Sequence, residues 1–369
     1  MPDPTDGNDR AGACGVETEP TAVSEEPRSV SLHGNNSSLS VPSQISEPSV
    51  DDSSSWENDS AVDGMSTFSS TASLRSSIYE HIEENGRTYH RYKEGKYPLP
   101  NDPQEQERLD LQHALMGVTL GGRLHLAPLP EDFKGEVLDI ATGTGIWAIE
   151  FANLYRNSNI LGTDLSAIQP TYLPPNCSFI IDDAEDPWVF PHKFDYIHGR
   201  ALLSCFKDPR EVLKSAYDYL NPGGILELQD GFFPFKYVGP EPVESNLYKW
   251  SEIVTEGAAK SGRPWTNAQY YKQWMEELGF EDVVEKRFYW PTSAWAKGRY
   301  FKEVSMYWQE DLLQGLEGIS LKVMMLMGWK VDDIREFLEK VKDDIKDRNI
   351  HAYLSIVVVY GRKPQTATN

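Results

Sequence analysis

Beyond about residue 100 the chain alternates short apolar runs with amphipathic stretches. Residues Glu136–Ile140 follow Gly135 and predict a strand; residues 145–155, with Ile146, Ile149 and Phe151 apolar, predict a helix. A second strand is expected over 159–162, ending at Thr163-Asp164, a third over 178–182 and a fourth over 194–198. Residues 208–220 place Val212, Leu213, Ala216 and Leu220 on one helical face. Asn221-Pro222-Gly223-Gly224 then predicts a turn and 225–229 a fifth strand. This rhythm predicts an α/β fold, a Rossmann-like, doubly wound and mostly parallel sheet.

The second half reads as more helical. Helices are expected over 242–260, 267–278 (closed by Gly279), 295–313 and 331–345, with a strand-like run over 282–289. A late strand is expected in the closing segment His351 to Pro364, so the sheet should end in two strands separated by a helical block. Upstream, Asp102 suits an N-cap, Pro103 a first helical position and Gly121-Gly122 a stop, giving a helix over 102–120. Before it, tyrosines 79, 89, 92 and 97 are interleaved with basic residues.

Composition changes this picture near residue 75. Residues 1–80 hold three arginines, no lysine and fourteen acids, a local charge of −11 out of −22 for the 369-residue chain. So polar a stretch cannot bury enough apolar surface to offset its ordering entropy and is expected to be a solvated tail. The expected organisation is an acidic, Ser-rich tail (1–75), a helical and tyrosine-rich cap (76–130) and a sheet domain with helical insertions on its substrate side (131–364). The acidic balance excludes a general nucleic-acid binder. Cys14, Cys177 and Cys205 are too scattered for a zinc cluster or a disulfide framework, so no metal is expected. No apolar run approaches the ~20 residues of a membrane span. An intracellular protein, cytoplasmic or nuclear, with no membrane partner is therefore expected.

The candidate chemistry concentrates at three strand ends. Val137-Leu138-Asp139-Ile140-Ala141-Thr142-Gly143-Thr144-Gly145 runs from a strand through a glycine turn into a helix. Such a turn lets backbone N–H groups approach a ligand, and alone it also fits a dinucleotide fingerprint. Asp139 just before it would repel a pyrophosphate and welcome an ammonium or sulfonium. Asp164, about twenty residues on, suits ribose hydroxyls in either reading. The third station is Asp182-Asp183-Ala184-Glu185-Asp186-Pro187-Trp188, where an acid beside a small residue can bind adenine.

With these motifs, the stretches "VLDIATGTGIWAIEFA", "ILGTDLSAIQP", "PPNCSFIIDDAEDPWVF" and "FDYIHGRALL" resemble the class I S-adenosylmethionine-dependent methyltransferases, more narrowly the fungal group around the secondary-metabolism regulator LaeA. The resemblance spans nearly everything after residue 75. It implies S-adenosylmethionine as cofactor. Asp139, Ala141, Thr142, Gly143 and Gly145 would surround its methionine end. Asp164 would bind the ribose, Leu165 would pack on the adenine, and Asp183 with Ala184 would contact it. His198, Gly199 and Arg200 would face the sulfonium and the substrate, with His198 the candidate base. Ala141 stands where that family more often has glycine, so it is expected to keep a negative φ.

Three functions are weighed. The first is methyl transfer to a metabolite or a protein. The second is a regulatory subunit of a protein complex that controls secondary-metabolite genes. The third, a nicotinamide dehydrogenase, is disfavoured by Asp139. The aromatic positions of the C-terminal helices are expected to be core rather than pocket.

Overall fold

The computed structural model describes residues 47–48 and 80–365. The expected acidic tail lies outside the described residues. The chain first forms a hairpin, β1 (His81–Glu84) and β2 (Arg87–His90), turned at Asn85 and Gly86 with φ 55° and 81°. Asn-Gly is the pair that supplies two positive φ values at a two-residue turn, and this hairpin went unpredicted. Helix α1 (Pro103–Thr119) follows. Asp102 caps it by accepting from the Glu105 N–H at 3.0 Å and also ion-pairs Arg87 at 2.6 Å, which ties the hairpin to the helix start.

The main sheet is built from β3 (Glu136–Ile140), β4 (Asn159–Asp164), β5 (Cys177–Ile181), β6 (Phe194–Arg200), β7 (Leu220–Tyr237), β8 (Glu281–Pro291) and β9 (Ala352–Arg362). Its order is β5-β4-β3-β6-β7-β9-β8. The first five strands are mutually parallel, and β9 runs antiparallel between β7 and β8. The order reverses beside β3, which opens a crevice at the carboxyl ends of β3 and β6.

Helix α2 (Ile146–Leu154) packs on one face of the sheet with Trp147, Phe151 and Tyr155. Helices α3 (Pro209–Tyr219) and α5 (Tyr271–Leu278) share a core with β6, β7 and β9. Helices α1, α4 (Asn246–Lys260), α6 (Arg299–Leu326) and α7 (Val331–Lys346) enclose a third, aromatic-rich core with Trp250, Trp265, Trp290 and Trp308.

Several boundaries depart from the sequence reading. The expected turn at 221–224 lies inside β7, because Gly223 takes φ 81° and the strand stays bonded to residue 363 after β9. Strand β7 runs to Tyr237, since its long partner β9 satisfies its backbone that far. The expected helix over 267–278 begins as a 3-10 turn, Asn267–Tyr270. The helix expected over 295–313 starts at Arg299 and continues through Met324 to Leu326, while Trp295 is buried in the preceding loop.

Candidate active site

One cleft gathers the three predicted strand ends. It encloses about 1110 Å³ counted to its open mouth, at the carboxyl ends of β3, β4, β5 and β6. Its walls include Asp139, Ala141, Thr142, Gly143, Asp164, Leu165, Asp183, Ala184 and His198. Gly145, the remaining predicted residue, does not reach it. It is the buried N-cap of α2, and a Cβ there would run into the Phe179 ring. Its glycine is required by packing and by φ 80°.

The turn after β3 is wound left-handed three times, at Ala141 (φ 52°), Gly143 (φ 60°) and Gly145 (φ 80°). The negative φ expected at Ala141 is not found. The Thr142 N–H donates to the Thr163 carbonyl at 2.9 Å, locking the turn onto β4 and holding Ala141 in a conformation that disfavours a Cβ. At Gly143 a Cβ would meet only Leu109, at 3.6 Å, so that position serves backbone conformation and access.

Asp139 is buried. One carboxylate oxygen is 2.8 Å from His198 Nδ1, and the other accepts from the Thr142 hydroxyl. Asp164 accepts from the N–H groups of Gly143 (2.9 Å) and Ser166 (2.8 Å). Burial still pushes its carboxyl up to about 6, since two backbone donors only partly replace water. Each oxygen keeps lone-pair capacity for a further donor from the cleft.

At the third station both Asp182 and Asp183 line the cleft, in different surroundings. Asp183 is held by Lys96 and by Lys93 (3.2 Å), both on the segment that follows β2, and its other oxygen takes the Glu185 N–H. These cations hold its carboxyl below the usual carboxylate range against the opposing effect of burial. Asp182, also in the cleft wall, makes no ion pair among the described residues, and burial raises it against the weaker pull of Lys93. Trp188 packs beneath, its indole N–H donating to the Ala184 carbonyl at 3.0 Å.

His198 is fully buried. It stacks on Trp147 with centroids 3.6 Å apart at 7°, and Nδ1 is committed to Asp139. Burial lowers its pKa, and Nε2 is shielded from water with no hydrogen-bond partner among the described residues. A general base needs access to the proton it takes, so the base expected at this position is not met by the geometry. His198 instead orients Asp139 from below.

Two further walls complete the cleft, of which sequence reasoning missed the first and placed the second in the tyrosine-rich cap. The first is a stripe of α1, with Glu105, Leu109, Gln112 and His113 at helical spacing. Glu105 is fixed by the buried Arg108 (2.7 Å), which also bridges to Asp311 of α6 at 2.8 Å. The second wall is the covering segment with Tyr97, Pro100 and Asn101. The i, i+4, i+7, i+8 spacing on α1 could have signalled the first; the tyrosines up to Tyr97 signal the second, and the pairing of Lys93 and Lys96 with Asp183 ties it to the cleft. Among the described residues no cluster could hold a metal ion, and no helix is long and apolar enough to cross a membrane.

Residues 111–285 match a family described as a methyltransferase domain. The chain is 34% identical over 311 residues to methyltransferase pytC of Aspergillus terreus, covering 84% of this chain and 96% of that one. It is 32% identical to secondary metabolism regulator LAE1 of Cochliobolus heterostrophus, over 76% of this chain and 94% of the other. Among solved structures, phosphoethanolamine N-methyltransferase 2 of Haemonchus contortus is 16% identical with a TM-score of 0.42, and the match spans 69% of this chain and about half (53%) of that one.

Proposed function

The chain belongs to the S-adenosylmethionine-dependent methyltransferases of the fungal LaeA-like group, and from that premise we propose that the cleft binds this cofactor and methylates a small-molecule or protein acceptor of secondary metabolism. The observation that carries the residue assignment is the convergence of Asp139, Asp164 and the Asp182–Asp183 pair on one cleft beside a glycine turn. Four carboxylates around a cavity suit a cationic adenosine compound and would repel a pyrophosphate. The half-buried Asp164, with lone pairs unspent, fits a vicinal diol. The open space over Gly143 fits close approach of the methionine end.

The cofactor supplies an electrophilic methyl group on a sulfonium. The chain orients and shields it. Asp139 meets the ammonium end, held in place by His198 and Thr142. Asp164 accepts from the ribose, and Leu165 packs against the base. Ala184 lines the adenine end, while Asp182 rather than Asp183 has the carboxylate free to accept from the exocyclic amine. Tyr97 and its neighbours cover the cleft and exclude water.

Asp164 gives a pH test. It must be ionised to accept from both hydroxyls of a diol, and its carboxyl in the folded chain lies at about 6. S-adenosylhomocysteine affinity, measured by calorimetry, is therefore expected to be level above pH 7. It should weaken up to about tenfold per pH unit below 6. Asp164→Asn should remove that slope and weaken binding about tenfold or more. No binding by the wild-type chain at any pH would refute the reading.

A regulatory role in a protein complex is the second reading, favoured by similarity to relatives named as secondary-metabolism regulators. An Asp164→Asn allele that fully restores a deletion strain would support it over catalysis.

A further inference from the structure

Arg200 ends β6 inside the cleft and is the one arginine or lysine among the cleft-wall residues. Its Nε donates to Gln229 Oε1 at 3.1 Å, and its Nη1 donates to His113 Nδ1 at 2.9 Å. An arginine can only donate, so His113 Nδ1 is the acceptor and its proton sits on Nε2, 3.0 Å from the Glu150 carboxylate. Gln229 is oriented in turn by donating to Glu227 and to the Leu124 carbonyl. The guanidinium is thus held on two sides, while Nη2 has no hydrogen-bond partner among the described residues. Desolvation lowers its pKa to about 10, which still leaves it cationic at neutral pH.

No free base stands beside it. Both nitrogens of His113 are committed, and Nε2 of His198 is shielded. Asp139 is engaged by His198 and Thr142, and Glu105 by Arg108. Apolar surface from Leu109, Ile146 and Phe206 completes the wall.

Resting on the methyltransferase reading above, we propose that the acceptor is an oxygen acid already ionised at neutral pH, a carboxylate or an acidic phenol or enol on an apolar body, held by the unspent edge of Arg200. An oxygen lone pair of the acceptor forms the new O–C bond while the C–S bond breaks, with the bonding pair retained by sulfur. No proton has to move, which matches a fixed cation whose neighbouring bases are all engaged or shielded, while Asp164 and Asp182 stand at the cofactor's end of the cleft. His113 and Gln229 are positioning residues for the guanidinium.

The test uses the full chain. S-adenosylhomocysteine must first raise its melting temperature; failure there overturns the methyltransferase reading itself. Release of S-adenosylhomocysteine from S-adenosylmethionine is then measured with benzoate, 4-nitrophenol, benzyl alcohol and benzylamine. Turnover is expected with one or both of the first two and not with the last two. Arg200→Gln should lower kcat/KM for that acceptor at least tenfold, while S-adenosylhomocysteine affinity stays within twofold; Arg200→Lys should recover part of the loss. His113→Asn should raise KM more than it lowers kcat. Between about pH 7, where Asp164 is ionised, and about pH 9, below the Arg200 pKa, the rate should be flat above the acceptor's own pKa. Equal use of the alcohol or amine, or no turnover with either anion, overturns the inference. So does a tenfold loss of S-adenosylhomocysteine affinity in Arg200→Gln, which would assign the guanidinium to the cofactor's carboxylate.

Discussion

The two halves of the sheet handle polar atoms in opposite ways. At the carboxyl ends of β3, β4 and β6, Asp139, Asp164 and Arg200 are withdrawn from water and kept partly unsatisfied. The backbone there is wound left-handed at Ala141 and again at Ala201, with φ 51°. Around β7, β9 and β8 the surroundings are aromatic, and some but not all of the buried indole N–H groups are paired. Trp250 donates to the Ser320 hydroxyl and Trp290 to the Thr119 hydroxyl, both at 2.8 Å, and Trp295 donates to the Ala352 carbonyl at 3.0 Å. One half keeps interaction capacity in reserve for a ligand. The other keeps its few orphaned donors, among them the indole N–H groups of Trp265 and Trp308, inside a packed aromatic core, out of a ligand's reach, and that core supplies the stability that makes the first half's reserve tolerable.

Substitutions can break or sharpen that contrast. Trp250→Ala, in the aromatic core, is expected to cost about 3–5 kcal/mol in denaturant unfolding. It should leave S-adenosylhomocysteine affinity of the folded fraction within twofold, and a large affinity loss would dissolve the division. Gly145→Val is expected to lose about 2–4 kcal/mol, because Phe179 and the positive φ both oppose the side chain. Gly143→Ala should cost only about 1 kcal/mol, since only the φ is unfavourable, yet it should weaken cofactor binding, because its Cβ enters the cleft wall. Equal stability losses at the two glycines would contradict the packing role assigned to Gly145. The smallest effect is a gain: Ala141→Gly should raise unfolding free energy by about 0.5–1 kcal/mol, read from the denaturation midpoint.

Much of this was legible in the sequence because local chemistry and fold agree there. Asp102-Pro103 caps α1 as expected, α3 starts within one residue of the helix expected over 208–220, and the ends of β3, β4 and β5 fall within two residues of the predicted ones. Asp139, Asp164 and Asp183 reach one cleft because a parallel sheet presents all its carboxyl ends on one edge. The long-range pairings were not legible. Nothing near Asp183 in the chain announces Lys93 and Lys96, ninety residues earlier. The sign of φ at Ala141 depends on a bond to Thr163, and the full length of β7 depends on β9. The shielding of His198 depends on the Trp147 ring above it. Each of these is set by a partner distant in sequence, which local pattern cannot name.

The placement of β9 has a consequence for how the chain is made. It follows β8 by way of α6 and α7 yet lies between β8 and β7, bonded along both of its edges. As the polypeptide emerges from a ribosome, β8 therefore has no neighbour to zip onto, and one margin of β7 stays bare until the final strand arrives. Interrupted synthesis before residue 352 would release a product with two adhesive borders, and the cell would be expected to guard or clear it until the last segment slides into its slot.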